Sequence, residues 1–266
     1  MLNDKKLGNI SRIVRYNIIK QTFHKKSGHL GGALSCTDIL VNIFNNYLFN
    51  NENNKFILSK GHCALAVYST LYQAKKLSKK NFYSFATQGS LFGEHPSPKI
   101  NNKYLNFSTG SLGHGVSFGS GMAYSKRLKN KKGNIFVLAS DGEMNSGTVW
   151  ESAMLSSKLN LNNLVVIVDY NKFQATGKSD EILNIKPLNK KWKSFGWDAI
   201  ECDGNNHKSI SSSLKKILKN KNKPKILISH TIKGKGVSFM ENDNNWHYRS
   251  PSREELEQSK IQLGIK

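Results

Sequence analysis

The chain contains little cysteine, and the few cysteines it has are not arranged as a site. Cys36, Cys63 and Cys202 are an odd number, and no two of them form a CxxC pair. A disulfide framework needs paired cysteines and a zinc site needs clustered ones, so the sequence favours neither. We expect all three to be small buried side chains.

Long apolar runs are also missing. No apolar segment follows Met1, and no stretch of the chain reaches the roughly 20 apolar residues that a membrane span requires. A secretory signal would likewise need an apolar core near its start. The sequence therefore predicts a cytoplasmic protein with no membrane partner.

Acidic residues are scarce: 18 Asp and Glu stand against 40 Lys and Arg, which gives a formal charge of +22. Such a charge is typical of proteins that neutralise nucleic-acid phosphates. The cations are nevertheless scattered in short groups mixed with asparagine, at predicted turns and helix ends such as 129–132 and 219–223. Solvated surfaces explain that pattern more simply, so we expect no nucleic-acid partner.

What the sequence does contain is a regular alternation of apolar runs and helix-length segments. The short apolar runs occupy 55–58, 134–139, 164–170, 198–202 and 225–230, and the segments between them include 147–158 and 207–220. Near-continuous apolar strands that alternate with helices predict an α/β fold, in which helices cover both faces of a parallel sheet. We expect a single domain over 1–266, with the polar stretch 241–266 as a possible docking tail.

Two of these predicted strands are followed by residue types that can bind hard cations. Asp141 follows the second run, and Asn171 follows the third, one crossover connection later. The carboxyl ends of parallel strands meet at one edge, and Mg²⁺ prefers a few oxygen ligands of this kind. Gly142 would let a ligand approach the backbone, and a helix beginning near 145 or 147 would point free N–H groups at an anion. A strand-ending turn with a helix cap fits the same residues, and both interpretations stay open at this point.

Further motifs accompany this pair in a fixed order. They are SGHLGG at 27–32, SKGH at 59–62, EHP at 94–96, TGSLGHG at 109–115, DGEMNSG at 141–147 with DYN at 169–171, and KGKG at 233–236 with WH at 246–247. This set resembles the thiamine diphosphate enzymes and is most similar to transketolases. The resemblance extends from about residue 10 to about residue 250 and covers only the first of the three domains of a full-length transketolase. The chain therefore resembles the N-terminal subunit of a transketolase split into two polypeptides.

The resemblance implies the diphosphate-binding fold of these enzymes, with thiamine diphosphate and Mg²⁺ as cofactors. It assigns the metal to the side chains of Asp141 and Asn171 and to the backbone carbonyl of Phe173. The positions that it assigns to the coenzyme are His62, Gly110, Ser111, Leu112, Gly142, Asn171 and His247. Of these, His62 and Gly142 would meet the diphosphate.

The resemblance also separates the histidines into two groups. It assigns His29 and His247 to proton transfer or to stabilisation of a developing alkoxide, and His95 to a hydroxyl group of the donor sugar. These three lie in predicted loops, where side chains held by a rigid scaffold can converge on a site. The histidines for which we expect only a structural role are His24, His207 and His230.

The implied reaction moves a two-carbon ketol unit from a ketose phosphate to an aldose phosphate, as in the pentose phosphate pathway. A separate C-terminal transketolase subunit would provide the pyrimidine-binding domain, and the family architecture implies a heterotetramer with two copies of each subunit. Two alternatives stay open. One is another thiamine diphosphate enzyme, such as a relative of 1-deoxyxylulose-phosphate synthase that decarboxylates pyruvate. The other is a non-catalytic basic scaffold.

Three positions differ from the transketolase pattern. Ser140 stands where many relatives have glycine, Ser146 where transketolases commonly have a glutamate, and Tyr248 where split relatives usually have glycine. The missing glutamate belongs to a carboxylate network between two active sites, in which Glu151 retains the second position and is assigned to catalysis. Glu143, on the same predicted helix, is expected to lie on a solvated face.

Overall fold

The computed structural model describes residues 2–266, which contain one sheet of five parallel strands. The strands are β1 (Lys55–Leu58), β2 (Ile135–Ser140), β3 (Leu164–Tyr170), β4 (Asp198–Asp203) and β5 (Lys225–His230). Their spatial order is β1-β2-β3-β5-β4. Each apolar run of the sequence forms a strand at the predicted place, and the predicted α/β fold with a parallel sheet is confirmed.

Helices flank the sheet. In chain order they are α1 (Asp4–Lys25), α2 (Leu30–Ser35), α3 (Thr37–Ile43), α4 (Ala64–Gln73), α5 (Lys79–Tyr83), α6 (His114–Leu128), α7 (Gly147–Lys158), α8 (Ser179–Ile182), α9 (Leu188–Ser194), α10 (His207–Ile217) and α11 (Arg253–Gln262). A π-helical turn, Phe44–Leu48, follows α3, and short 3₁₀ turns occupy Gly61–Cys63, Pro98–Ile100, Gly142–Asn145 and Asn244–His247. No helix in the described part of the chain has both the length and the apolar character to cross a bilayer.

All strands except the edge strand β4 are buried on both faces, and alternate residues along a strand enter different cores. Phe136, Leu138 and Ile167 face one core, which α1 to α4, α10 and α11 cover. Val137 and Ala139 face the other core, which α6, α7 and α9 cover. Because successive side chains point to opposite faces of a sheet, both sets must be apolar, and this explains the near-continuous apolar runs of the sequence.

Cysteines contribute to these cores as small side chains. Cys36, Cys63 and Cys202 are free thiols, and all three are buried in the core on the α1 side of the sheet. The prediction that they are buried and unpaired is confirmed.

The polar stretch 241–266 packs against its own chain. Its helix α11 contacts α1, and Leu256 and Leu263 are buried in the adjoining core. Ser252 and Glu255 form a capping box that begins α11, which satisfies backbone N–H groups at the helix start. In this structure the stretch therefore packs on the domain from which it extends, and a role as a docking tail stays a prediction.

Polar residues cluster where the strands end. The register of the sheet pairs Ser140 of β2 with Asp169 of β3, and Asp169 with Ser229 of β5. Asp141 and Asn171 directly follow the ends of the neighbouring strands β2 and β3. The carboxyl edge of the sheet therefore carries a row of polar side chains, while its interior is apolar.

Two loops cross closely beside the end of β1. Gly61 lies against the backbone of Thr109, and a Cβ atom at Gly61 would overlap the Thr109 carbonyl oxygen. Thr109 Oγ1 also donates to the carbonyl oxygen of Leu58, at 2.5 Å. Only glycine permits this approach, which places His62 beside the loop that contains Gly110.

We expect Gly61→Ala to lower the free energy of unfolding by about 3 kcal/mol, because the added methyl group forces the two loops apart. Chemical denaturation measures this change. The matched control is Gly8→Ala within α1, where no heavy atom lies within 4 Å of the added carbon. Alanine at that position should stabilise the helix by about 0.5–1 kcal/mol. Equal unfolding free energies for Gly61→Ala and the wild type would contradict the close crossing.

Candidate active site

A cleft of about 360 Å³ opens at the carboxyl edge of the sheet. Its volume falls within the range of small-molecule sites, about 300–1,000 Å³. The predicted site residues that line it are His29, His62, His95, Gly110, Ser111, Gly142, Asn171, Phe173 and His247. They come from separate loops, and the folded chain brings them to one place.

Three predicted site residues do not line this cleft. Asp141 is 1% exposed and lies beside Gly142, which does line it. Leu112 is 58% exposed on the surface, and Glu151 is exposed on α7. The role predicted for Glu151 at a subunit interface stays a prediction.

The helix expected near 145 or 147 begins at the second of these positions. A 3₁₀ turn, Gly142–Asn145, follows Asp141, and α7 begins at Gly147. The residues of α7 do not line the cleft, whereas Gly142 at the start of the 3₁₀ turn does. The predicted start of the helix is confirmed, and the role of its N–H groups in binding an anion stays a prediction.

Asp141 is a buried carboxylate with neutral partners. Its Oδ2 atom accepts hydrogen bonds from the Lys172 backbone N–H at 2.8 Å and from Ser179 Oγ at 3.0 Å, and its Oδ1 atom accepts from the Gly142 N–H at 2.9 Å. Burial, together with the nearby Asp169 carboxylate, raises the pKa of Asp141 to about 7. A buried carboxylate without a cationic side chain as partner is a suitable ligand for a cation.

Asn171 and Phe173 add two further oxygen atoms near this carboxylate. The Asn171 Oδ1 atom accepts from the Phe173 N–H at 3.0 Å, and Asn171 Nδ2 donates to Ser35 Oγ at 3.2 Å, so the amide has a defined orientation. The Phe173 carbonyl oxygen accepts no hydrogen bond from residues 2–266. A carboxylate, an amide oxygen and a backbone carbonyl are hard donors, which suits Mg²⁺ with water completing its shell.

A zinc-type arrangement is not present. Within the described chain, no three His, Cys, Asp or Glu side chains gather closely enough to hold a metal ion by themselves. The candidate ligand set of Asp141, Asn171 and Phe173 is of a different kind, because it contains a single carboxylate and two neutral oxygen donors. These oxygen donors fit Mg²⁺, whereas they do not fit metals that prefer thiolate or imidazole ligands.

Lys60, which lines the cleft, forms a buried ion pair with Asp169, and neither residue was among the predicted site residues. Lys60 and Asp169 have fully buried side chains, and Lys60 Nζ donates to Asp169 Oδ2. Asp169 also accepts from Ser35 Oγ and from Thr231 Oγ1, each at 2.5 Å. Burial alone would lower the pKa of Lys60, but the Asp169 carboxylate outweighs it and raises that pKa well above its ordinary value.

Lys233 is a second buried cation, and its partners are neutral. Its Nζ atom lies 3.2 Å from the Gln174 carbonyl oxygen, 2.5 Å from Asn244 Oδ1 and 3.1 Å from His247 Nδ1. Burial and the Lys60 ammonium lower the pKa of Lys233 to about 8. Because no carboxylate neutralises it, this lysine is suited to bind an anion in the cleft.

The contact with Lys233 also determines the tautomer of His247. An ammonium group can only donate, so His247 Nδ1 accepts and the proton of the neutral ring is on Nε2. Burial and the Lys233 ammonium lower the pKa of His247 to about 3. His247 is therefore a neutral ring with an N–H donor at Nε2.

Four histidines meet in the cleft. The centroid of the His29 ring lies 5.4 Å from that of His62, 5.8 Å from that of His95 and 5.2 Å from that of His247. Burial and the neighbouring His62 lower the pKa of His29 and the pKa of His95. At neutral pH, His29, His95 and His247 are therefore uncharged, and each can offer a hydrogen-bond donor and an acceptor.

The histidines expected to be structural lie outside the cleft lining. His207 Nε2 lies 3.1 Å from Ser11 Oγ and is buried under α1. His230 Nε2 lies 2.6 Å from Glu201 Oε2, and both side chains are partly exposed. His24 is in the last turn of α1.

Glu143 is not on a solvated face, and that expectation is wrong. It belongs to the 3₁₀ turn and not to α7, and it is 1% exposed. Its carboxylate accepts from Ser59 Oγ at 2.5 Å, from the Gly113 N–H at 3.1 Å and from the Ser140 N–H at 2.7 Å. Because these donors belong to the loop after β1, the loop before α6 and the end of β2, the carboxylate holds these three segments together beside the cleft.

The sequence contains a signal for two of the three buried charged residues that were not predicted to belong to the site. Lys60 and Lys233 lie inside the motifs SKGH and KGKG, of which only the histidine and the glycines suggested a role. A lysine between the end of an apolar strand and a glycine has little room to reach solvent, which marks it as a candidate buried cation. The position of Glu143 two residues after Asp141 carried no such signal, because its partners Ser59 and Gly113 are distant in sequence.

The family model described as "Transketolase, thiamine diphosphate binding domain" matches residues 3–266. This chain belongs to the transketolase family. It is a thiamine diphosphate-binding domain of the transketolase type, and the resemblance stated from the motifs is confirmed.

Relatives of similar length are named as transketolase subunits. The chain is 34% identical over 252 residues to a subunit of the apulose-4-phosphate transketolase of Phocaeicola vulgatus, and the match covers 92% of this chain and 89% of that protein. It is 32% identical over 221 residues to the 6-deoxy-6-sulfo-D-fructose transketolase subunit SqwG of a Clostridium species, and that match covers 80% of each chain. The chain is therefore homologous to the N-terminal type of subunit in split transketolases.

Solved transketolases share the fold. The structure of transketolase from Campylobacter jejuni superimposes with a TM-score of 0.88 at 23% identity, over 100% of this chain and 44% of that one. The chain thus spans less than half of the longer enzyme. At this identity the superposition shows the common fold of the transketolase family.

Glu143 should contribute strongly to stability although it is a charged residue. We expect Glu143→Ala to lower the free energy of unfolding by about 3 kcal/mol, because it leaves the buried donors of Ser59, Gly113 and Ser140 without an acceptor. Denaturant melts measure this difference. Glu151→Ala is the matched control, since that glutamate is exposed on α7 and its loss should change stability by less than about 0.5 kcal/mol. Similar melts for the two variants would contradict the assigned role of Glu143.

Proposed function

We propose that this chain is the thiamine diphosphate- and Mg²⁺-binding subunit of a transketolase, which transfers a two-carbon ketol unit from a ketose phosphate to an aldose phosphate. The observation that supports this most directly is a pair of uncompensated charges. Asp141 is a buried carboxylate with neutral partners, and Lys233 is a buried ammonium with neutral partners, at the same edge of the sheet. A metal and a diphosphate group would complement both.

The metal is assigned to Asp141, Asn171 and the carbonyl oxygen of Phe173. A bound Mg²⁺ would neutralise part of the diphosphate charge, and thiamine diphosphate would supply the nucleophilic carbon. Lys233, His62 and Gly142, which all line the cleft, would contact the diphosphate. The remaining contacts to the coenzyme are assigned to Gly110, Ser111, Leu112 and His247.

The histidines act on the sugar. His247 presents an Nε2–H donor, which is suited to stabilise a developing alkoxide. His29, whose ring is 5.2 Å away, accepts and returns a proton of a sugar hydroxyl group. His95 binds a second hydroxyl group of the donor. Because the rings are uncharged at neutral pH, they can perform these steps without first losing a proton.

A second subunit completes the site in this proposal. The relatives of similar length are named subunits, and the domain corresponds to 44% of a full transketolase. Apolar side chains remain exposed on α6 and α7, among them Phe118, Met154 and Leu155. They are suited to an interface with a second copy of this chain and with a C-terminal, pyrimidine-binding subunit in a heterotetramer. Glu151 lies on the same helix and is assigned to that interface. We place the enzyme in the cytoplasm and in sugar phosphate interconversion of the pentose phosphate type.

Removal of the Lys233 charge should weaken coenzyme binding. We expect Lys233→Met to raise the dissociation constant of thiamine diphosphate, in the presence of Mg²⁺, about 10- to 100-fold, because a charged donor to the diphosphate is lost. Isothermal titration calorimetry on the isolated chain measures it. The unliganded variant should melt no lower than the wild type, since it loses an uncompensated buried charge.

Lys225→Met is the matched control. Lys225 is also 1% exposed, and burial also lowers its pKa to about 8. Its Nζ atom donates to the carbonyl oxygens of Asn162 and Lys223 near the start of β5, at the opposite edge of the sheet. It should therefore leave coenzyme affinity unchanged. Equal losses of affinity in both variants would count against a diphosphate site at Lys233.

Activity should require both subunits and Asp141. We expect two-carbon transfer only when the chain is mixed with the C-terminal transketolase subunit of the same organism, thiamine diphosphate, Mg²⁺, a ketose phosphate and an aldose phosphate. Asp141→Asn should reduce the rate by at least about 100-fold, because the only carboxylate ligand of the metal is lost. Asp198→Asn, at the start of β4, is the control and should retain activity. A coupled assay of the aldose product measures the rates.

A panel of donor substrates distinguishes two-carbon transfer from the alternative reaction and identifies the preferred sugar. The relatives are named for apulose 4-phosphate and 6-deoxy-6-sulfo-D-fructose, so the panel includes ketoses of both kinds beside ordinary ketose phosphates. Consumption of pyruvate with release of CO₂ would instead indicate a decarboxylating enzyme of the same superfamily. Absence of any two-carbon transfer with the correct partner would refute the proposal.

A further inference from the structure

Glu94 lies between His29 and its own sequence neighbour His95, which both line the cleft, and it is not among the residues assigned to the coenzyme or the metal. Its Oε1 atom accepts a hydrogen bond from Ser27 Oγ, and its Oε2 atom lies 3.4 Å from His29 Nδ1. Its side chain is 35% exposed, whereas that of His29 is 10% exposed. A carboxylate held from one side by a serine therefore presents its second oxygen to a buried imidazole.

His29 needs such a partner at Nδ1. That nitrogen is buried and makes no hydrogen bond of ordinary geometry with the described residues. A buried ring nitrogen without a partner is unfavourable, and the Glu94 carboxylate is close enough to bond with it after a shift of about 0.5 Å. The ring lines the cleft, so with Nδ1 buried the nitrogen that remains for a ligand is Nε2.

Burial and the neighbouring histidines disfavour a positive charge on His29. The titratable groups around it are His62 and Cys63 of the turn Gly61–Cys63, His95 and Glu94 of the loop before Pro96, and His247 and Tyr248 at the end of the turn Asn244–His247. Burial, and next the neighbouring His62, lower the pKa of His29, while Cys63 and Glu94 raise it. Among these groups Glu94 is the one carboxylate.

We propose that Glu94 is a positioning residue that acts through His29. Its carboxylate accepts the Nδ1–H of His29, which fixes the ring in the tautomer with a free lone pair on Nε2, directed at the substrate. During catalysis a proton moves from a sugar hydroxyl oxygen to His29 Nε2, and the resulting imidazolium keeps its Nδ1–H bond to Glu94 until the proton is returned. This inference rests on the proposed function.

The arrangement makes His29 and His247 complementary. Lys233 leaves His247 with a proton on Nε2, and Glu94 leaves His29 with a lone pair on Nε2. Adjacent rings therefore offer the cleft one donor and one acceptor. A carbonyl oxygen that gains charge and a hydroxyl group that loses its proton require this combination.

The first test is a nitrogen-15 NMR titration of the isolated chain labelled at histidine, with His29 assigned through His29→Gln. We expect the wild type to show the tautomer with the proton on Nδ1. Glu94→Gln keeps an acceptor and should keep the tautomer, but the pKa of His29 should fall because the negative charge is lost. Glu94→Ala removes the acceptor too and should alter both the tautomer and the pKa.

The matched control is Glu201→Gln. Glu201 pairs with His230 at 2.6 Å on the surface, outside the cleft lining, so this variant should leave the His29 signals unchanged. Thermal melts show that each variant is folded. The proposal is overturned if His29 has the same tautomer and the same titration midpoint in the wild type, Glu94→Gln and Glu94→Ala.

The second test uses the enzyme reconstituted with its partner subunit. We expect Glu94→Ala to lower kcat about 10-fold, through loss of a well-oriented proton acceptor, and to leave the affinity for thiamine diphosphate unchanged. In Glu94→Gln the limb of the pH–rate profile that His29 controls should move to lower pH. An unchanged profile and an unchanged kcat would overturn the role in catalysis.

The two tests separate this inference from the function on which it rests. The NMR titration requires neither coenzyme nor partner. If no donor sugar reacts but the Glu94 variants change His29 as expected, the proposed reaction fails and the pairing stands. If two-carbon transfer is found and His29 does not respond to Glu94, the function stands and the pairing fails.

Discussion

The ion pair between Lys60 and Asp169 is the interaction on which the geometry of the cleft depends. Both side chains are fully buried, and Asp169 also accepts hydrogen bonds from Ser35 and Thr231. One carboxylate therefore connects the segments that leave β1 and β5 with the end of α2 and with β3. Loss of either charged partner would leave the other buried and unpaired, which is strongly destabilising, so the pair constrains the segments that carry Lys60, Ser35 and Thr231.

Beside this ion pair, two further buried charged groups have no oppositely charged side chain as a hydrogen-bond partner. Asp141 and Lys233 have neutral hydrogen-bond partners, although burial of an uncompensated charge is unfavourable for folding. Groups of this kind are retained at sites where a ligand provides the missing charge, and stability is lower there than an apolar substitute would allow. The contrast with Lys60 and Asp169 separates structural charges of the cleft from charges available to a ligand.

The imidazoles depend on the same surroundings. Burial and the ammonium of Lys233 keep His247 uncharged and fix its proton on Nε2. The Glu94 Oε2 atom lies 3.4 Å from His29 Nδ1, and Ser111 Oγ lies beside His62 Nδ1. These histidines are therefore not equivalent bases, because Nδ1 has a different neighbour in His29, His62 and His247. Such differences of environment allow one residue type to perform several steps of a reaction at neutral pH.

The amino-acid sequence by itself determined the architecture and the location of the site. Apolar runs that alternate with helices can be buried only as a parallel sheet with two covered faces, and Asp141 and Asn171 then lie at one edge by the geometry of crossover connections. Tertiary structure alone decided which polar groups pair. Glu143 was expected on a solvated face, yet it accepts hydrogen bonds from Ser59 and Gly113. Local periodicity reports which residues are apolar, whereas hydrogen bonds between distant loops depend on how the chain crosses itself, and no local pattern contains that information.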